Sequence, residues 1–327
     1  MQGLSRETRR ETSASASLSP MRIDPRSCPL LTLERLRTGT RWAFADPKAT
    51  TAPSPSHPAP EALAAIGFAG SEWSSPAAAC SRNLLLLLHG LGDAPRAFAR
   101  LGHQMALPQT TALALRAPLP LPAGLVGAAW HESFTSDGDF VGAADAARSL
   151  ARDCRPRLLA LLRLLDAHGW PPHRVFLLGF AQGGVAGLDC AMHAPSRLGG
   201  VVSVCGHALL GSAQQSPEGG GGGGGETAPP ARQTPVLVLA GSVDPEIPPD
   251  EARARLAQLQ RRLPSAQLHA AAGMGMRMPR SETEMRPVMA FFAEHLELSS
   301  AGLEDDPSLL RLDRVGPEGA LHVSTPS

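Results

Sequence analysis

Apolar residues in this 327-residue chain come in short runs, separated by helix-length stretches of mixed character. Leu84 to Leu88 is a run of leucines bounded by Arg82-Asn83 and His89-Gly90, and it reads as a fully buried strand. Ala112 to Arg116, Val175 to Leu178, Gly200 to Cys205, Val236 to Ala240 and Leu268 to Ala271 are read as further strands. Between them the period changes. Asp93 is read as the cap of a helix running through Met105. From Asp145 to His168, Leu150, Cys154, Leu158, Leu161, Leu162 and Leu165 fall near one helical face, with Arg148, Arg152, Arg155 and Arg163 mostly on others. Pro156 is placed to bend that helix. Further helices are predicted from about Gly183 to His193, from Pro249 to Leu263 and from Pro287 to Leu296. Strands alternating with helices predict a mostly parallel central sheet with helices on both faces.

The ends read differently. Residues 1–80 include a Ser/Ala-rich stretch and a Pro-rich one, and are expected to be a disordered extension, with Trp42-Ala43-Phe44 as a short apolar patch. The globular domain is placed at 81–298, with a flexible Gly-rich insertion at 211–234, and 299–327 as a disordered polar tail.

Bulk composition narrows the partners. With 30 basic and 30 acidic residues the net charge is zero, so no global field favours nucleic acid or an anionic membrane. No apolar run approaches the length of a membrane span. Five cysteines, scattered and without C-x-x-C spacing, fit neither a disulfide framework nor a zinc site, and no metal or cofactor is expected. A cytoplasmic location is expected; an organelle transit segment in the Arg/Ser-containing N-terminus is the alternative, against which Glu7, Glu11 and Asp24 argue.

The chemistry centres on one junction. Val175 to Leu178 runs into Gly179-Phe180-Ala181-Gln182-Gly183-Gly184 and then a helix-like stretch. A strand, a tight turn and a helix around G-x-S-x-G form a nucleophile elbow. Here the serine position holds Ala181, a methyl group where a hydroxyl would attack. A lone G-x-A-x-G is more often an ordinary strand–helix junction. The surrounding motifs reverse those odds.

Taken in order, those motifs resemble the acyl-protein thioesterase and carboxylesterase group of α/β-hydrolases, also called the phospholipase/carboxylesterase family. The likeness runs from about Asn83 to Leu296. It is carried by Leu84-Leu85-Leu86-Leu87-Leu88-His89-Gly90-Leu91-Gly92-Asp93, Arg116-Ala117-Pro118, Trp130 and the elbow. Leu198-Gly199-Gly200-Val201-Val202, the segment from Pro235 to Asp244 and Gly273-Met274-Gly275 complete it. The resemblance implies an α/β-hydrolase fold and a serine, an acid and a histidine in that chain order. It puts the nucleophile position at Ala181, the acid at Asp244 and the histidine at Met276, with Gly179 and Gly183 flanking the elbow. It also implies that the backbone N–H groups of Leu91 and Gln182 hold the oxyanion.

No histidine occurs between Ala270 and Glu294, so no small shift of alignment supplies a base; His269 and His295 flank the gap. Two further departures concern substrate handling: Trp130-His131-Glu132, where the family has an aspartate, and Ala240, where it often has a histidine. His89 is read as a residue that orders its loop. The reading favoured is a catalytically inactive hydrolase-fold protein, binding an acyl chain or small ester, with Met274, Met276 and Met278 at the mouth of its pocket. The alternative is an active ester or thioester hydrolase using Ser203, Ser242, Cys190 or Cys205. A protein partner engaged through the tails is a third reading.

Overall fold

The leucine run becomes β2, near the middle of a seven-stranded sheet. The computed structural model describes residues 55–74, 81–122, 124–209 and 230–298, with the backbone of two short strands at 311–313 and 322–324. The expectations for residues 1–54, for most of the Gly-rich insertion and for most of the C-terminal tail fall outside the described residues. In chain order the sheet uses β1 (Glu72–Ser74), β2 (Asn83–Leu88), β3 (Thr110–Leu115), β6 (Val175–Phe180), β7 (Gly200–Val204), β8 (Val236–Gly241) and β9 (Ala266–Ala271). The spatial order is β1-β3-β2-β6-β7-β8-β9. β1 is antiparallel to β3 and every other pairing is parallel. A minor ribbon pairs β4 (Leu119–Pro120) with β5 (Ala128–Ala129).

Strand alternation sorts the core into two layers. Leu84, Leu86 and Leu88 face one cluster with Leu158, Leu161, Leu165 and Leu188; Leu85 and Leu87 face the other with Phe98, Val288 and Phe292. The first layer is covered by α4 (Arg155–Ala167), α5 (Gln182–His193) and α6 (Pro249–Gln260), with the short helix α3 (Ala143–Ser149) ahead of α4. The second is covered by α2 (Pro95–Met105) and α7 (Glu282–His295). The chain therefore has an α/β-hydrolase architecture, a mostly parallel sheet between two helical layers. Among the described residues no helix is long and apolar enough to cross a membrane.

Several boundaries differ from the sequence reading, each for a local reason. Residues 55–74 fold onto the domain ahead of Ser81. Leu63, on the short helix α1 (Pro60–Ala65), and Phe68 are fully buried, and His57 stacks on Trp73 with ring centroids 4.0 Å apart. Helix α2 starts on Pro95 after Ala94, not on Asp93, because proline's fixed φ and missing N–H suit the first helical position. The predicted helix from Asp145 to His168 is interrupted by a π turn, Leu150–Cys154, directly before Pro156. The wider turn accommodates a ring that would clash with the carbonyl four residues back. Helix α7 begins five residues before Pro287, which lies inside it. The Ser281 hydroxyl accepts the Glu284 N–H at 3.2 Å, and this S-x-x-E start outweighs the signal of a proline in a first turn.

Candidate active site

The sheet order grows outward from the β2–β6 pair, and the connections leaving these two strands go to opposite layers: α2 on one side, α5 on the other. A crevice opens where the order diverges, at the C-terminal ends of the strands. Leu88 is in register with Gly179, so the loop His89-Gly90-Leu91 and the turn Phe180-Ala181-Gln182 leave the sheet side by side.

Ala181 takes φ 47°, ψ −114°, a conformation that costs a non-glycine residue about 1–3 kcal/mol. The turn is locked from both ends: the Ala181 N–H donates to the Val204 carbonyl at 2.8 Å, and the Ala181 carbonyl accepts the Val185 N–H at 3.0 Å. A Cβ on Gly179 would overlap the carbonyl of Gly183, and one on Gly183 would overlap the carbonyls of Leu88 and His89. The elbow thus keeps its strained shape with a methyl group at its tip. Replacing Ala181→Gly is expected to stabilise the fold by about 1 kcal/mol, since relief of positive-φ strain exceeds the extra chain entropy. Differential scanning calorimetry should show a melting temperature higher by about 2–4 °C; a lower one would mean that the turn is not strained.

The two N–H groups that the resemblance assigns to the oxyanion lie on the loop and the turn that leave β2 and β6 in register. The Gln182 N–H is the first of the four donors that a helix leaves without an internal partner, at the positive end of the twelve-residue helix α5. The Leu91 N–H makes no backbone hydrogen bond to a described residue. His89 orders this loop, as the sequence reading expected. Its Nδ1 donates to the Gly90 carbonyl at 2.7 Å, its Nε2 accepts the Ala117 N–H at 3.0 Å, and its carbonyl accepts Trp130 Nε1–H at 2.8 Å. Burial lowers its pKa, and both ring nitrogens are used.

The Gln182 side chain, buried beside the elbow, holds the segment after Trp130. Its Oε1 accepts the Trp130 N–H at 2.8 Å, and its Nε2 donates to Ser133 Oγ at 2.6 Å and to the His131 carbonyl at 3.2 Å. From the sequence, Gln182 enters the site only through its backbone N–H. The legible signal was its place directly after the elbow, but which side chain would meet it depends on contacts between residues far apart in the chain.

The acid and histidine positions lie on neighbouring loops that do not form a relay. Asp244 is buried, and its Oδ1 accepts the Glu246 N–H at 2.9 Å, the turn geometry of an aspartate before proline. Among the described residues the histidine–carboxylate pairs within 4.0 Å are His173–Glu297 and His193–Asp189, so no histidine nitrogen lies that close to Asp244. Met276 is 44% exposed. Its loop is fixed by Arg277, which clasps Glu284 with both guanidinium nitrogens at 2.8 and 2.6 Å and holds that carboxyl down at about 2. The methionines divide: Met274 is wholly buried and Met278 packs against the core, so only Met276 is exposed at the surface. His269 is exposed on the edge strand β9. His295 packs on Phe291 near Glu297, which bonds Asn83 at the start of β2, the opposite end of the sheet from the elbow.

None of the alternative nucleophiles is activated. Ser203 is buried and donates to the Gly206 carbonyl at 3.1 Å, and Ser242 accepts the Gly273 N–H at 2.9 Å. Burial pushes the thiols of Cys190 and Cys205 up, away from the reactive thiolate. Cys205 Sγ contacts the carbonyls of Gly275 and Arg277, both at 3.7 Å. A cavity of about 30 Å³ beside Asp244, lined by Cys205, His207, Arg255 and Leu256, has room for a water and not for an acyl chain. His207 Nδ1 is buried there without a partner, and burial together with Arg255 brings the ring's pKa down to about 4. Among the described residues no group of three or more histidine, cysteine, aspartate or glutamate side chains is placed to hold a metal ion.

Comparison with known proteins supplies the family. The family model described as Phospholipase/Carboxylesterase matches residues 75–296. An uncharacterized hydrolase of Mycosarcoma maydis is 32% identical over 148 residues, 42% of this chain and 54% of that protein. The chain spans about half the length of this relative and of a second one, from Schizosaccharomyces pombe. A protein of Oryza sativa subsp. japonica named "Probable carboxylesterase" is 27% identical over 235 residues, 68% of this chain and 81% of that protein. The crystal structure of esterase PE8 shares the fold with a TM-score of 0.57 at 24% identity, covering 69% of this chain and 99% of its own. With the strand order, the elbow and a match over most of the folded residues, the chain belongs to the phospholipase/carboxylesterase family of hydrolases.

Proposed function

We propose that this family member does not form an acyl-enzyme and instead binds an ester or thioester group at a site that has lost its nucleophile and base. The observation that carries this reading is Ala181 at φ 47°, ψ −114°: an elbow kept in its strained form with no hydroxyl on it. The state of the other two positions supports it, Asp244 bonded within its own turn and Met276 facing solvent. In subtilisin, loss of the serine alone removes about 10⁶-fold in kcat. What survives without a triad, about 10³–10⁴-fold over water, comes from binding and the oxyanion donors. Those donors are backbone groups and do not depend on either missing side chain.

The ligand class follows from the exposed apolar residues at this end of the domain. Leu125, Val126, Phe140, Val243 and Met276 are exposed large apolar residues on loops of this end of the domain, Val126 to 92%. Leu121, Val126 and Gly127 pack on Gly92, and a Cβ on Gly127 would overlap the Gly92 carbonyl. A carbonyl on the two N–H groups with an alkyl chain along these residues matches the polar and apolar parts of the site. The test is a fluorophosphonate probe on the purified chain. Intact-protein mass spectrometry is expected to show no adduct, and a serine adduct that mild heat denaturation prevents would overturn the reading. Calorimetric titration with 2-decanone, a carbonyl on an alkyl chain with no leaving group, is expected to show saturable binding.

A further inference from the structure

The oxyanion donors lack a nucleophile, yet a histidine outside the triad positions contacts the side chain of Gln182, the residue whose N–H is one of them. His131 lies on the segment that the Gln182 side chain holds: Gln182 Nε2 is 3.2 Å from the His131 carbonyl and 3.2 Å from its ring Nδ1. The same residue, Gln182, supplies one of the two oxyanion donors. His131 Nδ1 lies 2.8 Å from the Glu132 carbonyl, an acceptor only, so Nδ1 carries the proton. A neutral imidazole has a single N–H, which leaves Nε2 as a bare acceptor. Burial holds the ring below the ordinary value of 6.5, partly offset by the bond to Glu132, so it is neutral at pH 7. The titratable groups around it are Glu132 on its own segment, paired with Arg152 at 2.8 Å, and His207 after β7, with Glu251 and Arg255 of α6 beside His207.

We propose that His131 is the general base of a slow, serine-independent hydrolysis in which water attacks an ester or thioester carbonyl directly. The proposal rests on the reading that such a carbonyl binds at the Leu91 and Gln182 N–H groups. His131 Nε2 takes a proton from water as the water oxygen bonds to the carbonyl carbon, and the carbonyl π electrons move to the oxygen held by the two N–H groups. When the tetrahedral species collapses, the bond to the leaving alkoxide or thiolate breaks. The imidazolium returns its proton to that group, leaving a carboxylic acid and an alcohol or thiol. Three other histidines do not suit this role. His89 has both nitrogens engaged, His207 is too weak a base, and His295 lies at the far end of the sheet.

The experiment uses the full chain treated with fluorophosphonate and then freed of the reagent, which silences contaminating serine hydrolases. Turnover of p-nitrophenyl acetate is expected to survive this treatment, to show no burst, and to rise with pH through an inflection below 6.5, because only the neutral ring accepts a proton. His131→Asn keeps a donor near the Nδ1 position and removes Nε2; it is expected to lower the rate by about 100-fold while leaving melting temperature and 2-decanone binding unchanged. His131→Gln serves if the first variant does not fold. Native turnover no faster than buffer, an unchanged rate in the His131 variants, or a loss that instead follows His207→Gln would each overturn the proposal. Any of these with 2-decanone binding intact refutes the general base alone; absence of that binding in the native chain refutes the underlying ligand reading.

Discussion

The double variant Ala181→Ser/Met276→His is expected to hydrolyse p-nitrophenyl acetate about 10²–10³-fold faster than the native chain, and to take up a fluorophosphonate at position 181. The elbow already has its strained geometry, and the donors at Leu91 and Gln182 need no rebuilding. The loops carrying Asp244 and Met276 run together, with the Val243 N–H donating to the Met274 carbonyl at 3.1 Å. A full triad is worth about 10⁶-fold, and a misplacement of about 1 Å forfeits about 10² of that. Some loss is expected here, because Asp244 must leave its turn bond to Glu246. Either single variant should stay within about threefold of the native rate, since the groups act as a unit. A folded double variant that matches the native rate would show that these loops no longer meet, and the reading as a hydrolase that lost two side chains would lose its support.

Gly183→Ala is expected to lower the unfolding free energy by about 4 kcal/mol or more, a large part of the 5–15 kcal/mol typical of a domain. A Cβ at this helical position would sit well under 3.0 Å from the carbonyl oxygens of Leu88 and His89. These are backbone atoms of the central strand β2 and its following loop, so no side chain can swing aside. Urea unfolding followed by circular dichroism measures the effect. Gly142→Ala is the control: Gly142 caps α3 at φ −67°, its Cβ would find its nearest neighbour at 3.9 Å, and the expected loss is under about 1 kcal/mol. Equal midpoints for the two variants would mean that the elbow helix does not press on β2.

Much of the fold was legible because fully buried strands and amphipathic helices leave their period in the chain. The Leu84–Leu88 run and the Val175–Leu178 run both became central strands, and their neighbours followed with boundary shifts of a few residues. The failures share a cause. Residues 55–74 fall in the stretch expected to be disordered, and only the contacts of His57 with Trp73 and the burial of Leu63 and Phe68 make them part of the domain. Pro287 sits mid-helix because the Ser281–Glu284 start and the packing of Val288 and Phe292 outweigh one missing hydrogen bond. At the site, the elbow was read from its motif, and the acid and histidine positions came from what the family resemblance implies. The burial of Met274 was legible from neither, since alternate residues of one short loop face opposite ways for reasons that lie in β8 and β9.

By itself the sequence determined which atoms the site lacks. An alanine at the elbow and a span from Ala270 to Glu294 without histidine are facts of composition that no folding can alter. It also determined the layering, because hydrophobic period is a local property and burial follows from it. Only the tertiary structure decided what surrounds the missing groups: that Asp244 spends its carboxylate on its own turn, that His89 is fully engaged, and that the His131 ring lies against the Gln182 side chain. Hydrogen-bond partners and pKa values are set by distances between residues far apart in the chain. Those distances exist only once the sheet has brought β2, β6, β7 and β8 into register.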